Sequence, residues 1–163
     1  MSKDKKQQLG VLGLVVALIV VLMGGVLFVG AASGWFDDPK VQLDAEYYAE
    51  GAEFMELNAG EYEGLVEAKK SFVVMVDQDG CITADRLREY TTRYMTETGI
   101  LVYKMMFAEV KESSLHEQVK YYPSVVIVSR GKVVAYLRAD SDEDAEVYNN
   151  YDAFKEWMRR YLQ

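Results

Sequence analysis

Cysteine and histidine are almost missing from this chain. Its 163 residues include one of each, Cys81 and His116. One cysteine excludes any internal disulfide, so the thiol is buried and inert, bonded to another molecule, or reactive. It also excludes a zinc site built on paired cysteines. One histidine can serve a nucleophile only where the fold brings the two together. His116 is therefore read as a surface residue. A phosphate-binding glycine loop and a triad serine are absent as well. Asp140, Asp142, Asp144 and Glu146 alternate as in a calcium loop, but that pattern needs glycine sixth and glutamate twelfth. Ala145 and Tyr151 stand there instead, so the segment reads as a solvated acidic loop. No metal and no cofactor is implied.

Positive charge is scarce. Setting aside Lys3, Asp4, Lys5 and Lys6 from the 18 basic and 26 acidic residues leaves 15 and 25, a net charge of −10. Nucleic-acid binding requires clustered Lys and Arg, and the balance excludes it. It also opposes docking flat on anionic lipid. The acidity is read as a solubility device.

Charge of either sign is absent between Lys6 and Asp37. Inside that gap, residues 9–32 form a 24-residue run of Leu, Val, Ile, Met, Phe, Ala and Gly. As a helix the run reaches about 36 Å, enough to cross a hydrocarbon core of about 30 Å. It has no polar face, unlike a core helix of a soluble domain. Lys3, Lys5 and Lys6 precede it, and Asp37 and Asp38 follow. The positive-inside tendency then puts residues 1–8 in the cytoplasm and the remainder outside, in a single-pass cell-membrane protein. Trp35 and Phe36 sit where an interfacial aromatic belt would be. Gly30-Ala31-Ala32-Ser33 offers small residues for signal cleavage, but signal cores are usually shorter, so a retained anchor is preferred. Residues 33–52 read as an acidic linker with a short helix around Leu43 to Ala49, and 53–163 as one domain.

Within that domain, Phe54 to Leu57 reads as a strand. Asn58 can cap a helix over Glu61 to Ala68, with Glu61 in its first turn. Ser71 to Val76 is a continuous apolar run, the mark of a strand covered on both faces. A helix follows from Ile82 to Thr98, with Ile82, Leu87, Tyr90, Tyr94 and Met95 as its apolar stripe and Gly99 to end it. Ile100 to Phe107 is a second buried strand. Ser114 and Glu117 suggest a capping box opening a short helix to Tyr121. After Pro123, Ser124 to Val128 and Val133 to Leu137 form a hairpin about Ser129-Arg130-Gly131-Lys132. Tyr151 to Leu162 closes the chain as an amphipathic helix. The order β-α-β-α-β-α-β-β-α implies an α/β domain, a mixed sheet with helices on both faces.

That order resembles the thioredoxin fold family, and residues carry the resemblance too. FMELNAGEYEGLVEAKKSFVVMV is similar to the family's first strand, first helix and central strand. YYPSVVIVSRGKVVAYL is similar to its proline, strand, glycine turn and strand. The resemblance covers residues 53 to 162. It implies that Pro123 is cis and faces the redox position. It also implies that Cys81 is the first cysteine of the family's Cys-x-x-Cys. The motif here reads Cys81-Ile82-Thr83-Ala84, so Ala84 replaces the second cysteine. Gly80 replaces the usual preceding tryptophan, and Met75 the usual buried aspartate.

Without a second thiol, Cys81 cannot release a mixed disulfide by itself, and an external thiol is needed for turnover. A helix N-terminus would favour its thiolate, while Asp77 and Asp79 would oppose it, so a sluggish nucleophile is expected. Two functions follow. One is a membrane-tethered extracytoplasmic thiol protein, forming mixed disulfides with client proteins or isomerising them through Cys81. Tyr122 and Pro123 would then hold an extended client segment. The other is a redox-inactive module that binds a membrane or envelope partner.

Overall fold

A computed structural model describes residues 40–49 and 53–163. The expected transmembrane helix over 9–32 lies outside the described residues. No described helix is long and apolar enough to cross a membrane. Lys40–Gln163 form one compact unit, so the domain begins at Lys40 rather than at residue 53.

The sheet is built on a strand with no polar face. All six residues of β2 (Phe72–Asp77) are buried. Neighbouring side chains of a strand point to opposite sides, so both faces of β2 are covered. Around it stand β1 (Met55–Glu56), β3 (Tyr103–Met106), β4 (Ser124–Ser129) and β5 (Lys132–Tyr136). The order is β1-β3-β2-β4-β5. β1, β3 and β2 run parallel, while β4 is antiparallel to both β2 and β5. This is the expected mixed sheet.

The helices begin where local chemistry starts them. α1 (Ala59–Glu67) opens on a complete capping box. Asn58 Oδ1 accepts from the Glu61 N–H at 2.9 Å, and Glu61 Oε2 accepts from the Asn58 N–H at 3.1 Å. α2 (Ile82–Thr98) ends on Gly99, whose φ of 71° is the left-handed conformation that closes a helix. Its Tyr90 and Tyr94 rings pack on Phe154 of α6 (Tyr151–Tyr161) at centroid distances of 6.0 and 6.2 Å.

Three expectations need correction. The strand expected over Ile100 to Phe107 shrinks to β3. Phe107 instead opens a short helix, α3 (Phe107–Lys111), which the apolar run concealed. Ser114 does not cap α4 (Leu115–Gln118), because its backbone is itself helical. Its N–H and hydroxyl donate to Glu63 at 2.6 and 3.0 Å. The acidic loop after Asp140 also contains a helix, α5 (Ala145–Asn149).

The β4–β5 turn is tight because Arg130 and Gly131 both have positive φ, 50° and 74°. A two-residue hairpin of matching twist requires this. A Cβ on Gly131 would meet the Val66 carbonyl oxygen at 2.3 Å. Gly131→Ala should therefore destabilise by at least the ~1–2 kcal/mol of left-handed backbone. Urea unfolding of the two proteins checks this, and an unchanged midpoint would contradict the close approach.

Residues 40–49 form a strap across one end of the domain. The Val41 N–H donates to the Tyr161 carbonyl at 2.7 Å, and the Gln163 N–H returns a bond to Val41 at 3.1 Å. Asp44 Oδ2 accepts from the Ser71 N–H at 3.0 Å. The Leu101 N–H donates to Tyr47, and the Ala49 N–H to Gly99, at 2.8 and 2.9 Å. Val41, Leu43 and Tyr47 are buried in the core, and the Tyr47 ring packs edge-on against Tyr103 and tilted against Phe72. A 3-10 turn at Ala45–Tyr47 stands where a short helix was expected.

Candidate functional site

The site lies beyond the C-terminal end of β2. There β2 leaves the sheet at Asp77, and Gln78-Asp79-Gly80 turns the chain into α2. Gly80 has a φ of 72°. Cys81 is the N-cap of α2, with extended backbone, and its carbonyl accepts from the Asp85 N–H at 3.1 Å. Its thiol makes no capping hydrogen bond. It is a free cysteine, half-buried. The unpaired N–H groups of a helix start favour an anion at that position.

Ile82 departs from its expected role. Instead of joining the apolar stripe, it is 78% exposed beside the thiol. The first turn is still winding there, so the stripe begins with fully buried Ala84 and Leu87.

Asp77 also departs from its expected role. Its side chain is only 3% exposed. Arg88 grips it as a fork, Nε to Oδ2 at 2.9 Å and Nη2 to Oδ1 at 2.8 Å. The Gln78 N–H donates to Oδ1 at 2.8 Å. The Arg88 hydrogen bonds to Asp77 push the guanidinium above its ordinary pKa. The Asp77 charge is therefore spent within the fold. The fork also ties the end of β2 to the second turn of α2, and so holds the loop carrying Cys81.

Pro123 reaches the same end through the sheet register. Val76 pairs with Ser124 in antiparallel β4, so Pro123 stands level with Asp77. The Tyr122–Pro123 peptide bond is cis. Tyr148 of α5 donates its hydroxyl to the Pro123 carbonyl at 2.7 Å. Burial pushes the Tyr148 phenol well above its ordinary pKa, so the hydroxyl keeps its proton. Sequence reasoning missed this support, since no helix was expected between the acidic loop ending at Glu146 and Tyr151.

Tyr122 is half-buried. Its ring packs on Phe107 at 4.9 Å, and its hydroxyl donates to the Val119 carbonyl. Tyr122 is thus engaged in packing, while its neighbour Tyr121 is 38% exposed. Lys111 lies over the Phe107 ring at 4.4 Å.

The other candidates lie elsewhere. His116 is exposed on α4. Asp144 and Glu143 direct their carboxylates at Arg138. A groove of about 440 Å³, lined by Val134, Tyr136, Arg138, Trp157 and Tyr161 among others, runs beside β5 and includes neither Cys81 nor Pro123.

Solved structures resemble this fold. A thioredoxin from Halobacterium salinarum matches with a TM-score of 0.53 at 16% identity, over 71% of this chain and 96% of its own. Reduced thioredoxin from Schistosoma mansoni gives 0.51 at 15% identity, over 68% and 99%. The chain has the thioredoxin fold. Oxidised mitochondrial thioredoxin 3 from Saccharomyces cerevisiae gives 0.50 at 14% identity, over 65% and 93%. No protein-family profile matches the chain, and no curated protein matches it by sequence. At such identities the likeness is one of fold, and any function must be argued from the site.

Proposed function

We propose that this is a membrane-tethered, extracytoplasmic thioredoxin-like protein that forms mixed disulfides with client proteins through Cys81. The observation that carries the reading is the position of the thiol. The chain's single cysteine caps a helix N-terminus, half-open to solvent, at the sheet end that Pro123 shares. In the reaction, the Cys81 thiolate attacks one sulfur of a client disulfide and expels the other as a client thiolate. A thiolate from a second molecule then attacks the client sulfur, forming a disulfide with it and expelling the Cys81 thiolate. The uncharged run over 9–32 supports the tether, and its flanking charges support the orientation.

A second reading, a redox-inert module binding an envelope partner, draws on Ala84 and Met75. Both are fully buried at positions where the fold family carries a thiol and a proton acceptor. Non-reducing gels of intact membranes separate the two. The first reading expects Cys81-dependent adducts that vanish in Cys81→Ser. If wild type forms no adduct and Cys81→Ser recovers the same partners, the second reading stands.

A further inference from the structure

β5 is an edge strand, with β4 on one side and no strand on the other among the described residues. The Leu137 N–H crosses to the Val125 carbonyl at 3.0 Å. Neighbouring residues of a strand alternate in direction, so the N–H and carbonyl of Tyr136 point to the open edge. Arg138 points that way too, but Asp144 Oδ2 already accepts from its N–H at 2.9 Å. The open stretch therefore stops at Tyr136. Val134 forms a bulge within it, between the pairs Val128–Val133 and Ile127–Ala135. A bulge at an edge opposes indiscriminate strand pairing and leaves room for a short segment only. The groove of about 440 Å³ runs along this edge. Val134, 48% exposed, lines it together with the Trp157 and Tyr161 rings, which stand 5.2 Å apart. Trp157 is 6% exposed, and its indole N–H donates to no atom among the described residues. That N–H is not one of the fully buried atoms without a partner, so it meets solvent where Trp157 lines the groove. An indole N–H in such a setting usually has an acceptor.

Charge selects the kind of segment that fits. Lys70, Arg88, Lys104 and Arg138 already hold carboxylates of the domain. Lys132 and Arg160 do not. Each is exposed and makes no ion pair among the described residues, and each is next in sequence to a groove residue, Val133 or Tyr161. We propose that this groove docks a short, extended, acidic segment of a partner protein, added along the open edge of β5. The backbone of the segment pairs with Tyr136, and one of its acceptors takes the Trp157 N–H. An apolar side chain lies on Val134, and carboxylates at its ends meet Lys132 and Arg160. The groove contains neither Cys81 nor Pro123, so this docking is independent of thiol exchange.

The test uses the full chain in detergent micelles and fluorescence anisotropy of a rhodamine-labelled, end-blocked peptide, Glu-Val-Thr-Val-Glu. A second peptide carries Lys in place of both Glu. The acidic peptide should bind about tenfold tighter than the basic one, and the double variant Lys132→Glu, Arg160→Glu should invert that preference. Both residues are exposed, and circular dichroism verifies that the variant is folded. Trp157→Phe keeps a ring but removes the indole donor, and should weaken binding about three- to tenfold. N-methylation of one alternating set of peptide residues should weaken it similarly, since that set faces β5. Cys81→Ser should bind as wild type does. Binding of neither peptide overturns the proposal, and so does equal binding of both to wild type and double variant. Indifference to N-methylation of either set overturns the strand pairing. A dimer, seen by sedimentation, that excludes the peptide assigns the groove to a second copy and also overturns it.

Discussion

Arg88→Ala should lower the stability of the domain by about 3 kcal/mol, because it leaves the Asp77 carboxylate buried without its counter-ion. Removing one partner of a buried pair usually costs about 3–5 kcal/mol. The lower figure applies because the Arg88 side chain is 35% exposed, so water can enter where it was. The Gln78 N–H remains on Asp77 in the variant and offsets only part of the loss. Arg88→Lys should lose less than Arg88→Ala. It restores a charge but not the fork, which needs two parallel N–H donors in one plane. Thermal unfolding of the detergent-solubilised chain, followed by circular dichroism, measures both variants. A loss below about 1 kcal/mol for Arg88→Ala would mean that Asp77 is solvated rather than clamped, and that the Cys81 loop is held by other contacts.

This pair also marks where sequence reasoning reached its limit. An acidic residue at the end of an apolar strand, four residues before a cysteine, reads as a charge acting on the thiol. Nothing in the spacing reveals that Arg88, two helical turns away, reaches back to neutralise it. Elements with strong local signatures were legible. The β2 run, the Asn58–Glu61 capping box, Gly99 and the Arg130-Gly131 turn each encode their own conformation in a few neighbouring residues. Elements decided by tertiary partners were not. Ser114 matches a helix start in sequence, yet Glu63 from another helix captures its hydroxyl and N–H. Phe107 prolongs an apolar run, yet it packs against Tyr122 and begins a helix. The strap looked like a linker because acidic residues alternate with its apolar ones. Its Val41, Leu43 and Tyr47 are core residues only because β2 begins, and α2 and α6 end, at that end of the domain. At the site, Cys81 and Pro123 were legible from the family resemblance. Tyr148, which holds the Pro123 carbonyl, was not, because its link is a single long-range hydrogen bond.

The largest functional change should come from Ala84→Cys. Cys81 is the N-cap of α2 and Ala84 is the third residue within it. In a capping box the side chain at each of these two positions reaches the backbone of the other, so the two lie on the same side of the first turn and a disulfide between residues 81 and 84 is within reach. Ala84 is fully buried, and fitting a sulfur there costs about 1–3 kcal/mol if its neighbours do not yield. The variant would complete a dithiol cycle within one chain. Cys81 attacks a client disulfide and expels the first client thiolate; the new thiol, once deprotonated, attacks the Cys81 sulfur and expels the second. The client disulfide is reduced to two thiols while the protein's dithiol becomes a disulfide, so electrons balance. Met75 on β2 cannot take the proton of that second thiol, and water or buffer must do so. Resolution should therefore quicken as pH rises toward ~8.5, the ordinary thiol range. With a disulfide-linked peptide as substrate, wild type should stop at a stoichiometric mixed disulfide. Ala84→Cys should release both peptide thiols and lose two hydrogens in intact mass. A variant that folds, yet accumulates the same mixed disulfide as wild type at every pH, would show that the two positions do not meet. The missing second cysteine would then not be what keeps this thioredoxin fold from acting alone.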